Sequence, residues 1–231
     1  MAEQFDHPAA DSPDAPRAVR PWVVNPQTGA VDLDRQPLPG EPEPDHFAIL
    51  GLPQRILLDA DAIEIAHRSL IRGLHPDRFH AQGPQAVAKA QSHSSRVNDA
   101  WRGLKTLEQR AAYVLTLAGE NLDERYRPPA QLLMQVMEAN EAIDEAGNDP
   151  AARVQLLELL SDFQAQRAVL TAALAQAAAS WDAAQAAVDP AAALTARADL
   201  RAVLGQARYI DNLIGRASAA LSAPDAAYPA N

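Results

Sequence analysis

His75, Pro76 and Asp77 stand in a row, with His80 just beyond them and His67 on the N-terminal side. Imidazole and carboxylate groups so spaced can do two kinds of work. His67, His75, His80 and Asp77 could ligate zinc, manganese or iron and support metal-dependent hydrolysis. Alternatively, the tripeptide could form a stiff, charged turn that a partner reads, with Pro76 fixing the backbone and Asp77 supplying the charge. The surrounding pattern favours the turn. Pro76 forces a preceding helix to end by His75, which separates His67 from the rest, and no second acidic pair recurs at ligand spacing. The chain has no cysteine, which excludes disulfides, thiolate metal sites and cysteine nucleophiles. No catalytic residue, metal or cofactor is expected. Arg68 and Arg72 precede the turn and Arg78 follows it, so charge can guide docking.

A second constellation lies in the segment 130–146. Leu132, Val136, Ala139 and Ile143 recur at helical spacing and predict a core stripe. Leu133, Met134 and Met137 fall off that stripe, beside Glu138 and Glu141. Apolar side chains rimmed by acids on the wrong helix face predict a partner surface. On the last helix Val203, Ala207, Ile210, Ile214, Ala217 and Leu221 align, and Tyr209 lies roughly 120° away from them.

These residues need helices to position them. Aromatics are 5% of the 231 residues and about one residue in five is alanine, a mix that predicts an all-α fold. HFAILGL (46–52) forms a short apolar turn or helix stopped by Pro53. Asp59 caps a helix carrying Ile63, Ala66, Leu70 and Leu74. After a loop at 75–83, Pro84 opens a second helix with Val87, Ala90, Ser94, Val97, Trp101 and Leu104 on one face. The two form an antiparallel pair with short flanking helices, the last having Tyr113, Val114 and Leu117 on its buried side and stopping at Gly119. The polar stretch 119–127 marks a boundary. Asp149–Pro150 and Asp189–Pro190 each read as cap plus first-turn proline, so helices at 130–146, 150–188 and 190–222 build a three-helix bundle. The alanine-rich centre of the middle one is expected to bend or break. The organisation is an arm at 1–44, a domain at 45–118 and a second at 128–223.

Nine of the 18 prolines fall in the first 45 residues, with three arginines against nine carboxylates, and this arm reads as disordered. Trp22, Val23 and Val24 are its one apolar knot. The net charge of −10 hides a basic middle, nine Lys/Arg against six Asp/Glu over 46–117. So acidic a chain disfavours nucleic acid and leaves room for a basic face that meets an acidic protein. No apolar run approaches the roughly 20 residues of a bilayer span and no leader pattern opens the chain, so a cytoplasmic protein without membrane contact is expected.

The strings DHFAILGLP, LHPDRF, VNDAW and RAAYVL resemble a J-domain, and with LLMQVMEANEAIDE they resemble the HscB-like co-chaperones of iron–sulfur cluster assembly, over about residues 45–222. The resemblance implies a protein that binds the scaffold IscU, delivers it to an HscA/DnaK-type chaperone and stimulates that chaperone's ATPase. It implies chaperone contact through His75, Pro76, Asp77, His67, Arg68, Arg72 and Arg78. It implies scaffold contact through Leu133, Met134, Met137, Glu138, Glu141 and Tyr209. A general J-protein serving unfolded clients would share the first half only. Four departures stand out. Trp22, Asn25 and Pro26 occupy a stretch where eukaryotic relatives hold zinc with cysteines, Tyr209 replaces a phenylalanine, Leu74 replaces a tyrosine, and Gly73 should cost its helix about 1 kcal/mol.

Overall fold

The structure is a computed structural model that describes residues 21–25, 30–37, 42–121, 128–147 and 149–222. Its regular elements are helical: α1 (His46–Leu50), α2 (Ala60–Gly73), a 3₁₀ helix (Pro76–Gln82), α3 (Pro84–Leu104), α4 (Leu107–Leu117), α5 (Ala130–Glu145), α6 (Pro150–Ala187) and α7 (Pro190–Ser222). Among the described residues the only β-pairing is an isolated antiparallel bridge between Val24 and Val31. No described helix is long and apolar enough to cross a membrane.

The chain divides into two compact units, Met1–Val114 and Leu115–Asn231. In the first, Asp59 caps α2 by accepting from the Asp61 amide. The helix ends at Gly73, so that glycine sits in the last turn and the mid-helix penalty expected of it is relieved. α2 and α3 are antiparallel. The cross-helix pairs His67–Asn98 and Glu64–Trp101, and the bond from Ser94 to the Leu74 carbonyl, run in opposite chain directions. Between them the expected loop is mostly one 3₁₀ helix. Gly83 follows it at φ 93°, a left-handed conformation that favours glycine and lets Pro84 start α3 without delay. Ile63, Leu70, Leu74, Val97 and Leu104 fill the space between the helices. Arg110 of α4 is buried and donates to the carbonyls of Ile56, Leu58 and Leu104, tying the 52–59 connection to the end of α3.

α1 meets α3 at close range. A Cβ built on Gly103 would sit 2.5 Å from His46 Nδ1, and the imidazole cannot retreat because it stacks on Tyr113 with ring centroids 4.0 Å apart. Gly103→Ala is therefore expected to lower stability by about 1–3 kcal/mol through overpacking, more than the helix-propensity gain returns; urea unfolding measures it. Burial holds the His46 imidazole below its ordinary pKa of 6.5, against the opposing pull of Asp45 and Asp99. Below pH 6.5 the unfolded chain takes up this proton before the folded chain does, so the contribution of His46 is present above that pH and is lost as pH falls. The melting temperature of wild type should drop more steeply from pH 7 to 5 than that of His46→Asn. Equal slopes would remove His46 as the cause.

In the second unit, Asp149 accepts from the Ala151 amide and Asp189 from those of Ala191 and Ala192, as the cap-plus-proline pattern requires. Helices α5, α6 and α7 pack pairwise. Arg167 pairs with Asp211, while Arg153, earlier on α6, donates to the Leu221 carbonyl, so α6 and α7 run antiparallel. The core centres on Leu132, Ala139, Phe163, Leu170, Ala207, Ile210 and Leu213, continued by Ala142, Ala146, Leu156 and Ala217.

Five expectations need correction. The middle helix does not break: α6 is one continuous helix of 38 residues, since alanine is the strongest helix former and α7 packs along it. The core stripe of α5 is rotated, with Ala142 and Ala146 buried and Val136 and Ile143 half-buried. On α7 the buried set includes Leu204 and Leu213, while Val203, Ile214 and Leu221 pack at its edge. In α4, Ala111, Val114 and Leu115 are buried and Leu117 is 43% exposed. The disordered arm fails for residues 21–25 and 30–37, where Val23 and Val24 are core residues; residues 1–20, 26–29 and 38–41 lie outside the described residues. Residues 122–127 of the boundary expected at 119–127 lie outside the described residues; just before them, Arg197 and Arg201 of α7 pair with Glu120.

Candidate functional site

The turn at 75–77 is built by what flanks it. Leu74 is completely buried and Phe79 nearly so, and these two apolar anchors leave the intervening side chains outside. His75 caps the 3₁₀ helix, its Nδ1 accepting from the Asp77 amide at 3.4 Å, and Pro76 takes the first helical position, where a missing N–H costs nothing. The Arg78 amide closes the turn on the His75 carbonyl. Asp77 then stands between two imidazoles, 3.5 Å from His75 and 3.4 Å from His80, with its own side chain 77% exposed. A carboxylate so exposed can meet a cation on another molecule without first being dug out of a core.

Beside the turn, Asp61, Ile65, Arg68 and Arg72 share the solvent face of α2. Arg68 forms an i,i+4 pair with Glu64 at 3.6 Å, and Arg78 is exposed on the 3₁₀ helix. His67 is placed differently from the arginines with which the sequence grouped it. It is half-buried, its Nε2 lies 2.8 Å from Asn98 Oδ1, and its ring stacks on Trp101 at 4.8 Å. Trp101 in turn donates to Glu64 at 2.6 Å. His67 thus serves the α2–α3 contact, away from the cluster of His75, Asp77 and His80. Among the described residues no group of three or more His, Cys, Asp or Glu is arranged to hold a metal ion.

The second constellation is in the bundle. On α5 the face away from the core carries Met134 at 65% exposure, Met137 at 72% and Leu133 at 46%. Glu138 and Glu141 are exposed around them, and α5 contains no lysine or arginine. Methionine suits such a surface, being unbranched and able to repack against a partner. Tyr209 does not join them as a solvent-facing side chain. It is half-buried and packs against the cluster built on Leu132, Phe163 and Ile210. Its angular position is off the α7 stripe, but the bundle core is wide enough to take its ring.

Sequence reasoning missed Phe79 as an anchor and the Glu64–Trp101–His67 lock. Apolar residues immediately bracketing LHPDRF were the available signal for the first; the second needed the register of α2 on α3.

Residues 128–214 match the family model described as the HSCB C-terminal oligomerisation domain. The co-chaperone protein HscB homolog of Bordetella petrii is 38% identical over 125 residues, covering 53% of this chain and 73% of that protein. That of Chromobacterium violaceum is 38% identical over 119 residues, covering 51% and 66%. The crystal structure of human co-chaperone protein HscB shares the fold, with a TM-score of 0.60 at 23% identity over 85% of this chain and 89% of that one. With an exposed His-Pro-Asp turn in one helical unit, an acid-rimmed methionine face in the other, and this degree of identity across most of a curated relative, the chain belongs to the HscB co-chaperone family.

Proposed function

We propose that this protein binds the iron–sulfur scaffold IscU through α5 and presents it to an HscA/DnaK-type chaperone, whose ATPase it stimulates through the turn at His75–Asp77. It does so as a binding protein, without covalent chemistry of its own. The observation that supports this best is the exposure of Leu133, Met134 and Met137 on the face of α5 turned from the core. Burying large apolar side chains against a partner is worth roughly 1.5–3 kcal/mol each, and Glu138 and Glu141 favour a basic rim on that partner. Residues 45–118 act as the chaperone-binding domain and 128–223 as the scaffold-binding one. Arg68, Arg72 and Arg78 steer an acidic chaperone surface towards Asp77, while His67 keeps α2 in register on α3. The metal-dependent hydrolase reading is not favoured, since His67 is engaged by Asn98 and Trp101.

Titrating the full chain into an HscA-type chaperone, with and without IscU, tests the reading. ATP turnover should rise with the chain alone and rise further when scaffold is present. Because the arginines are exposed, the half-stimulating concentration should increase as salt shortens the screening length below about 8 Å. A response flat from low to high salt would count against electrostatic docking, and no response to the chain would end the proposal.

A further inference from the structure

We infer that residues 21–25 and 30–37 are a positioning strap for the His75–Pro76–Asp77 turn, so that a segment whose composition reads as a disordered arm belongs to the chaperone-binding machinery. The inference rests on the function proposed above. Val23 and Val24 are each 3% exposed. The backbone is committed too: the Trp22 amide donates to the Ala48 carbonyl of α1 at 2.9 Å, and the Asp32 amide to the Val23 carbonyl at 2.9 Å. Arg35 donates to the Val24 carbonyl at 2.8 Å, closing the segment on itself.

The strap lands on one ridge of α3. Lys89, His93 and Arg96 lie at i, i+4 and i+7, the spacing of a single helix face. Lys89 pairs with Asp34, His93 Nε2 lies 3.1 Å from the Leu33 carbonyl, and the Arg96 guanidinium sits 4.9 Å from the centre of the Trp22 ring. Arg35 approaches the same ring at 5.9 Å, so a single indole meets two cations. Towards the N-terminus of α3 the strap and the 3₁₀ helix face each other across a groove of about 510 Å³, with Val31 and Leu33 on one wall and Phe79 and Gln82 on the other.

The physical need for a brace is plain. A 3₁₀ helix has poorer hydrogen bonds than an α-helix and rarely persists without support. This one is anchored by Leu74 and Phe79, and it packs on α3. A unit of this size has a modest core, and without cysteine it has no disulfide or thiolate metal staple. A strap that fixes the first half of α3 and flanks Phe79 limits the motions of the turn before the chaperone arrives. Ordering lost beforehand need not be lost on binding, so the expected signature is affinity rather than maximal rate.

The test uses the full chain carrying Trp22→Ala, with Trp22→Phe as the conservative variant. Hydrogen–deuterium exchange of amides 77–90 should quicken by about tenfold in Trp22→Ala, while amides of α6 and α7 keep their wild-type rates. The concentration giving half-maximal chaperone stimulation should rise about fivefold with the maximal rate retained, and Trp22→Phe should restore both. If strap amides open in Trp22→Ala but amides 77–90 keep wild-type exchange, the strap does not brace the turn and the inference is overturned. Faster exchange at 77–90 with unchanged half-stimulation overturns it equally. Should Trp22→Ala unfold the first unit, Val31→Ala, which trims only the wall opposite Phe79, decides between the same outcomes. Full stimulation by Asp77→Asn would instead sink the functional reading, and the exchange rates would still judge the strap alone.

Discussion

Asp77→Asn should abolish chaperone stimulation while leaving the first unit folded. The carboxylate is 77% exposed and its neighbours His75 and His80 are themselves exposed, so its removal should change stability by no more than about 0.5 kcal/mol. The turn does not depend on the charge. Its backbone is set by Pro76, by the bond from the Arg78 amide to the His75 carbonyl, and by the burial of Leu74 and Phe79. Docking is another matter. Truncating one member of a charge pair that becomes buried in an interface costs about 2–5 kcal/mol, which is a loss of at least thirtyfold in affinity. Thermal unfolding and ATPase stimulation measured on the same preparation separate the two effects. Wild-type stimulation by a folded Asp77→Asn protein would show that the turn is not the chaperone contact.

Met134→Ala combined with Met137→Ala should weaken IscU binding by about thirtyfold or more, equivalent to roughly 2 kcal/mol, with a melting temperature close to wild type. Both side chains are more than half exposed, so truncating them empties no core volume. Phe163→Ala provides the contrast. That ring is completely buried between α5 and α7 residues, and its removal should cost about 3–5 kcal/mol of stability. Tyr209 has to be kept out of the pair. Packed against the same cluster as Phe163, it would confound binding with folding if cut to alanine. The chaperone turn lies in the other unit, so basal stimulation should survive and only the increment due to scaffold should vanish. Scaffold affinity unchanged in the double variant would leave a general J-protein as the better description. A large drop in melting temperature would show the methionines to be structural and end the proposal for α5.

Much of this protein is legible in its sequence alone. Caps, prolines and apolar spacing act over a few residues, so Asp59, Pro84, Asp149 and Asp189 marked helix starts that the structure places within a residue. The His-Pro-Asp turn was equally local, since proline restricts itself and its predecessor whatever the tertiary fold. The exposure of Met134 and Met137 was readable because one helix face holds the core and these residues point the other way.

What resisted reading was everything set by contacts far apart in sequence. Composition averaged over 45 residues predicts a disordered arm, yet Val23 and Val24 are buried and Trp22 is held by Ala48 of α1 and Arg96 of α3, contacts that the average cannot contain. His67 looked like one more basic residue on α2 until the register of α3 brought Asn98 and Trp101 to its ring. Angular position put Tyr209 outside the α7 stripe, but the width of the apolar face is decided by how many neighbours surround a helix. In a three-helix bundle α7 has two, and the core takes the ring in. Local chemistry fixed where each helix begins and ends. Packing decided which of its faces remained for a partner.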